Sequence, residues 1–191
     1  MTLILASTSP YRHALLSRLG LAFTCVPPET DETPGPNESP EHLAGRLARA
    51  KAEAVAAANP GAVVIGSDQV ASLAGSVMNK PGTHQRAAAQ LKACSGREVH
   101  FYTGISVAAP HWNEPRTRVV PFTVQFKPLD DALIERYLLR EEPYDCAGSF
   151  KVEALGIALF ERLGGDDPTS LEGLPLIATV DLLAQAGIPV I

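Results

Sequence analysis

Segments with the pattern of buried strands alternate along this chain with segments of helical pattern, and this alternation constrains the fold more than any other feature. Leu3–Leu5 and the run AVVIGSD that ends at Asp68 are apolar enough to be buried strands. Apolar residues recur at helical spacing from Ala14 to Leu19, and a second helix is predicted to begin after Ser39. Interleaved strands and helices predict an α/β protein, and 191 residues suffice for one domain with a sizeable core.

The rest of the chain continues the same alternation. Gln85–Cys94 and Asp130–Arg140 are predicted helices, whereas VHFYTGISVAA and RVVPFTVQFKPL are predicted strands. In the last of these, Phe122, Val124 and Phe126 alternate with polar residues, as in a strand with one buried face. The helix after Ser39 is predicted to bury the stripe Leu43, Leu47, Ala50 and Ala54. The segment 27–40 is rich in proline and acid and predicts a loop.

Charge and cysteine content exclude several classes of function. A net charge of −5 argues against a general nucleic-acid binder, although a few focused cations could still bind a small anion. No apolar run reaches the roughly 20 residues needed to span a bilayer, and no secretory signal is recognisable. Three widely spaced cysteines and five histidines without metal-site spacing favour free thiols in a reducing cytoplasm over disulfides or a zinc site.

The stretch ASTSPYR contains the first candidate binding site. Ser9 is a good N-cap and Pro10 suits the first helical position, so Arg12 falls in the first turn, at the positive end of the helix dipole. Hydroxyls from Ser7 to Ser9, backbone N–H groups and a guanidinium would all point at one anion there, which predicts a phosphate site. The alternative interpretation is a solvated arginine on a surface helix.

Five further positions offer charged groups, each with an ordinary structural alternative. The neighbours Asp31 and Glu32 could coordinate Mg²⁺ or belong to a plain acidic loop. Lys51 lies at the edge of the apolar stripe of its helix and could extend to solvent or reach into a site. Asp68 is predicted at a strand end, where a metal ligand or general base is favoured, and Lys80 in NKPG could meet a phosphate or remain exposed. Together these groups suit metal-assisted cleavage of a polyphosphate.

Eight motifs then follow one another over almost the whole chain: LILASTSPYR, DET, ARAKAEAV, IGSDQV, NKPG, CSGREVHFYTG, CAGSFKVEALG and GLPL. In this combination the sequence resembles the Maf family of nucleoside triphosphate pyrophosphatases. The resemblance implies a single domain over residues 1–191, related to inosine triphosphate pyrophosphatases, with an elongated mixed sheet flanked by helices and two lobes around a central cleft. It also implies hydrolysis of a nucleoside triphosphate to the monophosphate and pyrophosphate, with Mg²⁺ or Mn²⁺ as cofactor.

The resemblance also implies a role for each matching residue. Arg12, Ser7 and Ser9 would bind phosphate, Asp68 would accept a proton, and Lys51 and Lys80 would complete the catalytic set. Glu32 and Asp68 would hold the metal. One position departs from the pattern, because Asn79 stands where many relatives have glycine, and we expect the loop to survive since asparagine tolerates a left-handed backbone.

At two positions the chain resembles the branch of the family that acts on 7-methyl-GTP. The chain has Ser67-Asp68-Gln69 where the thymidine and uridine triphosphate branch has Ala-Asp-Thr, and Glu153 where that branch has glutamine. A carboxylate can accept from both the N1–H and N2–H₂ donors of guanine, so Glu153 is predicted to bind the base. The resemblance implies that Gln69 binds substrate as well. The alternatives are a dTTP/UTP pyrophosphatase of the same family, or a nucleotide-binding regulator of septum formation. We expect a cytoplasmic enzyme that could form a homodimer and that has no nucleic-acid or membrane partners.

Overall fold

The computed structural model describes all 191 residues, which form seven strands and five α-helices. The strands are β1 (Thr2–Ala6), β2 (Thr24–Cys25), β3 (Ala62–Leu73), β4 (Ser76–Met78), β5 (Glu98–Ala108), β6 (Arg116–Phe126) and β7 (Phe160–Gly164). The α-helices are α1 (Pro10–Ser17), α2 (Pro40–Ala58), α3 (His84–Cys94), α4 (Asp131–Glu141) and α5 (Leu176–Gln185). Short 3₁₀ turns occupy Ala147–Ser149, Leu155–Leu159 and Pro168–Ser170.

The strands form one mixed sheet in the order β2-β1-β3-β5-β6-β7, with the short β4 paired to β3. β1 runs parallel to β2 and β3, whereas the pairs β3–β5, β5–β6 and β6–β7 are antiparallel. The predicted α/β class with a mixed central sheet flanked by helices is therefore confirmed.

The predicted end of the strand at Asp68 is wrong. β3 continues to Leu73, because Gln69 to Ser72 remain paired with β5. Only β1 ends nearby, since its last pair with β3 joins Ala6 to Gly66. Asp68 thus lies in the middle of a long strand but just beyond the carboxyl end of its parallel neighbour.

Helix α2 covers one face of the sheet at unusually close range. Two glycines permit this approach, because a Cβ on Gly66 would stand 2.2 Å from the carbonyl oxygen of Ala48, and one on Gly104 2.2 Å from that of Ala44. The buried face of the helix differs from the predicted stripe: Ala44, Ala48 and Ala52 are buried with Leu43 and Leu47, whereas Ala50 and Ala54 are only partly buried. Small residues on this face let the helix backbone approach the strands.

The opposite face of the sheet carries two separate apolar clusters. The larger lies under α3 and α4 and contains Phe101, Phe126 and Phe150, whereas the second lies under α1 and α5 and contains Leu5, Ile65 and Leu183. Between them, the polar residues Ser67, Gln69 and Thr103 occupy the same face, since side chains alternate along a strand and Gln69 pairs with Thr103.

Most of the predicted local structure is confirmed. Ser9 and Ser39 cap α1 and α2 through the backbone N–H groups of Arg12 and His42, and the residues between β2 and α2 form a loop. Phe122, Val124 and Phe126 are buried in alternation along β6. All three cysteines are free thiols, and none of the helices has the length and apolarity to cross a membrane.

Candidate active site

A cleft of about 740 Å³ opens along the sheet beyond the end of β1. All nine residues that sequence reasoning proposed for the site line this one cleft: Ser7, Ser9, Arg12, Glu32, Lys51, Asp68, Gln69, Lys80 and Glu153. These residues come from segments up to 146 positions apart in the chain, counted from Ser7 to Glu153. The fold therefore gathers the predicted polar set into a single cavity, while the role of each member remains a prediction.

Lys51 is the centre of the charged part of the cleft. Its ammonium Nζ lies 2.6 Å from Asp68 Oδ1 and 2.6 Å from Glu32 Oε1. Lys51 is only 6% exposed and belongs to the buried face of α2, so it does not extend to solvent from the edge of the stripe. The close approach of α2 at Gly66 and Gly104 brings this lysine to Asp68, which pairs with Gly104 across β3 and β5.

Arg12 approaches the same carboxylates from α1. Its Nε donates to the carbonyl oxygen of Gly173 at 2.9 Å, which is the one hydrogen bond of this side chain to the protein. Burial lowers the pKa of the guanidinium, and the nearby charges of Asp68 and Glu32 raise it, so the arginine lies in a partly desolvated, negatively charged environment. The terminal guanidinium nitrogens remain available for an anion in the cleft.

The preceding turn arranges its hydroxyls around the backbone. Ser7 Oγ accepts from the N–H of Ser9 at 3.0 Å, and Ser9 Oγ accepts from the N–H of Arg12 at 3.4 Å. Both serine oxygens thus already stabilise the entry to α1. Their predicted contact with substrate has to coexist with this capping role.

Of the two neighbouring carboxylates in the acidic loop, Asp31 and Glu32, only that of Glu32 lines the cleft. Asp31 accepts instead from the N–H of Thr33 at 2.9 Å and does not line the cavity. The hydrogen bond from Lys51 is the main cause that lowers the pKa of Glu32, with further help from the charges of Lys80 and Arg12. All three cations of the predicted site therefore act on Glu32.

A bidentate ion pair fastens this loop to α2. Arg46 Nε and Nη2 donate to the two oxygens of Glu38 at 2.7 and 2.9 Å, and Nη2 also donates to the carbonyl of Thr33 at 3.0 Å. Glu38 further accepts from His42 and from the N–H of Gly35. These bonds end one residue from Glu32, so they restrict where its carboxylate can lie.

Lys80 stands on an exposed loop that contacts the opposite wall. The left-handed residue of this loop is Gly82, with φ +69°, whereas Asn79 does not adopt a left-handed backbone, so the tolerance invoked for asparagine is not needed. Gly82 N–H donates to the carbonyl of Tyr144 at 2.9 Å, and His84 Nδ1 lies 3.0 Å from the Tyr144 hydroxyl. The lysine loop is thereby joined to the segment that leads to Glu153.

Glu153 lies in an exposed turn and lines the cleft. Tyr11, Asp145 and Cys146 line the cavity with it. Burial and the neighbouring acidic groups Cys146, Asp145 and Glu153 raise the pKa of Tyr11, and burial chiefly raises the pKa of Cys146 to about 12. The cleft therefore carries two carboxylates, Asp145 and Glu153, near Tyr11.

Gln69 makes contacts that limit its predicted role. Its side-chain nitrogen Nε2 donates to the backbone carbonyls of Ser170 at 2.8 Å and Leu171 at 3.1 Å. Its N–H groups are therefore already used within the protein. A contact with substrate, which stays a prediction, would have to use the side-chain oxygen.

Sequence reasoning did not single out several residues of the cleft. The carboxylates of Asp145 and Glu172 line it, as do apolar residues that form its inner walls: Leu43, Leu47, Val70, Met78, Phe101, Phe150, Val152 and Leu171. Tyr11 lies within the motif SPYR, and Asp145 directly precedes CAGSFKVEALG, so proximity to a motif was the available signal. Val70, Phe101 and Phe150 also lie within quoted motifs, but apolar residues at such positions fit the core equally well.

Glu32 and Asp68 are the side chains that could hold a divalent cation. The structure contains no group of three or more His, Cys, Asp or Glu side chains placed to bind a metal. The two carboxylates nevertheless share one cationic neighbour at 2.6 Å each, so they lie side by side at the cleft. Mg²⁺ is commonly bound by one or two carboxylates together with substrate phosphates, and the donor set fits that pattern.

Comparison with known proteins gives consistent matches. Residues 2–186 match the family model described as "Maf-like protein". The chain is 55% identical over 190 residues to a protein of Nitrosococcus oceani named 7-methyl-GTP pyrophosphatase, covering 100% of this chain and 96% of that protein. It is 52% identical over 189 residues to a protein of the same name from Pseudomonas syringae pv. tomato, covering 99% and 98%.

Among solved structures, the Ham1 protein of Staphylococcus aureus aligns with a TM-score of 0.47 at 18% identity, over 69% of this chain and 73% of that chain. The family match over residues 2–186 and the 52–55% identities over the whole chain show that this protein belongs to the Maf family.

Proposed function

We propose that this protein is a nucleoside triphosphate pyrophosphatase that hydrolyses 7-methyl-GTP to the nucleoside monophosphate and pyrophosphate. The observation that carries the proposal is the buried Lys51–Asp68 pair at 2.6 Å, in one cleft with Arg12 and Lys80. A carboxylate paired with a lysine, in a cleft lined by two further cations, suits a reaction in which negative charge develops on phosphate oxygens. Relatives at 52–55% identity that are named for this activity support the same assignment.

In the proposed reaction, Asp68 accepts a proton from a water molecule as the water oxygen attacks the α-phosphorus. The bond between the α-phosphorus and the bridging oxygen to the β-phosphorus breaks, and pyrophosphate leaves with that oxygen. Arg12, Lys51 and Lys80 stabilise the charge on the phosphate oxygens. Lys51 also holds the Asp68 carboxylate in place, because their hydrogen bond spans α2 and β3.

A divalent cation is part of the proposal. Glu32 and Asp68 would hold it, with phosphate oxygens of the substrate as further ligands. When bound, Mg²⁺ or Mn²⁺ would neutralise charge on the phosphates and help to orient them.

The part of the cleft around Glu153 is proposed to bind the base. Methylation at N7 gives guanine a positive charge, and Glu153 and Asp145 line the cleft. Glu153 would accept from N1–H and N2–H₂ of the base, whereas uracil and thymine offer a carbonyl beside a single N–H. We further propose that the enzyme acts in the cytoplasm and that it forms a homodimer.

Pyrophosphate release measured over a panel of nucleoside triphosphates, each with Mg²⁺ and with Mn²⁺, tests the proposal. We expect 7-methyl-GTP to give the highest kcat/KM. Highest activity on dTTP or UTP would place the protein in the other branch of the family. No release of pyrophosphate from any nucleotide would contradict the proposed enzymatic activity. A septation effect that persists in an inactive Asp68→Asn variant would instead support a nucleotide-binding regulator.

The Glu153→Gln substitution tests base recognition at the same site. An amide matches the carbonyl and N–H of uracil better than a carboxylate does, and it loses the attraction to a cationic base. We expect the ratio of kcat/KM for 7-methyl-GTP to that for UTP to fall by about tenfold, the effect of roughly 1.4 kcal/mol. Glu161→Gln, an exposed glutamate outside the cleft, is the control, and an unchanged ratio in Glu153→Gln would contradict the role of Glu153.

A further inference from the structure

We infer that Ser67, Gln69 and Thr103 are positioning residues that set the guanidinium of Arg12 for phosphate, by holding the segment Ser170–Gly173 against the sheet. The inference rests on the proposed function only in that Arg12 is taken to bind a phosphate of the substrate. None of the three residues needs to touch the substrate for this role. Ser67 and Thr103 are fully buried and do not line the cleft.

The segment Ser170–Gly173 docks on the polar area between the two apolar clusters. The hydroxyl of Thr103 donates to the carbonyl of Ser170 at 2.8 Å, and Gln69 Nε2 donates to the same carbonyl at 2.8 Å. Gln69 also donates to the carbonyl of Leu171. These are side chains of neighbouring strands, since Gln69 pairs with Thr103 across β3 and β5.

The far end of the segment meets Arg12. The carbonyl oxygen of Gly173 accepts from Arg12 Nε at 2.9 Å and lies 3.0 Å from Ser67 Oγ. The single proton of this hydroxyl is shared between the Gly173 carbonyl and that of Gly104, which lies at 2.8 Å. Gly173 has φ +107°, a backbone conformation that side-chain-bearing residues rarely adopt, so the direction of this carbonyl depends on the turn. A displacement of the segment would therefore move the acceptor that orients the arginine.

The choice of nitrogen matters for the proposed role. Because Nε is held by a backbone carbonyl, the plane of the guanidinium is constrained while its terminal nitrogens stay free for two parallel bonds to a phosphate. An arginine left to rotate would lose rotamer entropy on binding the same anion. The polar contacts beneath the segment thus act on phosphate affinity through Arg12.

Binding of inorganic tripolyphosphate with Mg²⁺, measured by calorimetry, tests the inference without requiring turnover. Thr103→Val removes the hydroxyl that holds Ser170 and leaves the cleft lining unchanged. We expect its Kd to rise at least about threefold. In the Arg12→Ala background the same substitution should have no further effect, since its influence passes through Arg12.

Two variants serve as references. Ser106→Ala removes a buried hydroxyl of the same strand, bonded to Thr117 rather than to the segment, and should leave the Kd unchanged. Ser67→Ala removes the hydroxyl that lies 3.0 Å from the Gly173 carbonyl and should repeat the effect of Thr103→Val, which keeps the test available if one variant folds poorly.

Equal Kd values for Thr103→Val, Ser67→Ala and wild type would overturn the inference. A loss that is as large without Arg12 as with it would also overturn it. If wild type hydrolyses no nucleotide yet shows this coupling with tripolyphosphate, the proposed function fails and the positioning role stands. If the nucleotide assay succeeds without the coupling, the positioning role alone fails.

Discussion

At the scale of single residues, Asp68 and Lys51 stabilise each other in a position that neither could occupy alone. Their side chains are 12% and 8% exposed, and a buried charge without a partner costs several kcal/mol. Lys51 also bonds Glu32, so its ammonium is shared between two carboxylates at 2.6 Å each. The pair thereby places an ionised carboxylate at the cleft wall.

The Asp68→Asn substitution separates the proposed chemistry from the fold. A carboxamide has the same shape but cannot accept a proton from water at neutral pH, so we expect pyrophosphate release to fall by at least about 10²-fold. Lys51 keeps Glu32 and the Asn oxygen as acceptors, so the loss in unfolding free energy should stay below the about 3–5 kcal/mol of a broken buried pair.

Pyrophosphate assays and urea unfolding of the same preparation check both parts. Asp166→Asn, which changes a carboxylate outside the cleft, is the control. Pyrophosphate release that persists in Asp68→Asn would refute its role as proton acceptor.

At the scale of elements, the distance between α2 and the sheet decides whether Lys51 reaches Asp68. That distance is set by residues without side-chain bulk, namely Gly66, Gly104 and the alanines opposite them. The glycines have no space for a Cβ, because the atoms they would meet belong to the backbone of α2.

Gly104→Ala should therefore move the helix as well as destabilise the protein. We expect a loss of about 1–3 kcal/mol in unfolding free energy, as for other overpacked cores, together with reduced turnover since Lys51 withdraws from Asp68. Gly61→Ala is the matched control, because a Cβ there has no neighbour within 4 Å. Equal unfolding midpoints for the two variants would contradict the close-contact argument.

The loop that carries Glu32 depends on a second element-scale contact, the ion pair of Glu38 with Arg46. Hydrogen bonds from Arg46 chiefly, and then from Gly35 and His42, hold the pKa of Glu38 well below its ordinary value of 4.5. The stabilisation by a carboxylate with a lowered pKa is complete above that ordinary value and is lost as the pH falls through the native pKa.

The N–H of Gly35 donates to Glu38 at 2.8 Å, so its NMR chemical shift reports on this contact. We expect that chemical shift to stay constant as the pH falls through 4.5 and to change only in stronger acid. Glu38→Gln should change the chemical shift of the Gly35 N–H at all pH values and raise the KM for the triphosphate. Glu41→Gln, on the exposed first turn of α2, should do neither. A midpoint near 4.5 in wild type would show that the pair does not hold the loop.

At the scale of the whole molecule, the cleft lies where separate parts of the core meet. Its lining draws Leu43 and Leu47 from α2, Phe101 and Phe150 from the cluster under α3 and α4, and Arg12 from α1. The chain has a net charge of −5, yet Arg12, Lys51 and Lys80 all line this cavity. An anion bound there would contact residues from several of these parts at once.

A bound triphosphate should consequently stabilise the whole fold. At a ligand concentration 100 times its Kd the expected gain is about 2.7 kcal/mol, and a protein of this size gains roughly 2–4 °C in Tm per kcal/mol. Asp68→Asn with 7-methyl-GTP and Mg²⁺ should thus show a Tm about 5–10 °C higher than without ligand. The nucleoside 7-methylguanosine at the same concentration is the control, and an equal shift with it would contradict phosphate binding by the cations of the cleft.

Helix starts, the loop before α2 and the alternation along β6 could be predicted from the sequence because short-range physics determines them. A serine before a proline satisfies the first N–H groups of a helix, and a period of two exposes alternate faces of a strand, whatever lies elsewhere in the chain. The end of β3 could not be predicted, because Gln69 to Ser72 remain in the strand through pairing with β5. That partner is about 30 residues away, and local polarity does not reveal it.

The sequence by itself determined the α/β class, the family and nine of the polar residues that line the cleft, since these depend on local pattern and on motifs in order. Only the tertiary structure decided how those residues are used. It buried Lys51 between Asp68 and Glu32, turned Asp31 away, and engaged the amide of Gln69 with a backbone segment a hundred residues later. The physical reason is that such contacts depend on distances between α2, the sheet and the loops, which residues as small as Gly66 and Gly104 control and which no local pattern records.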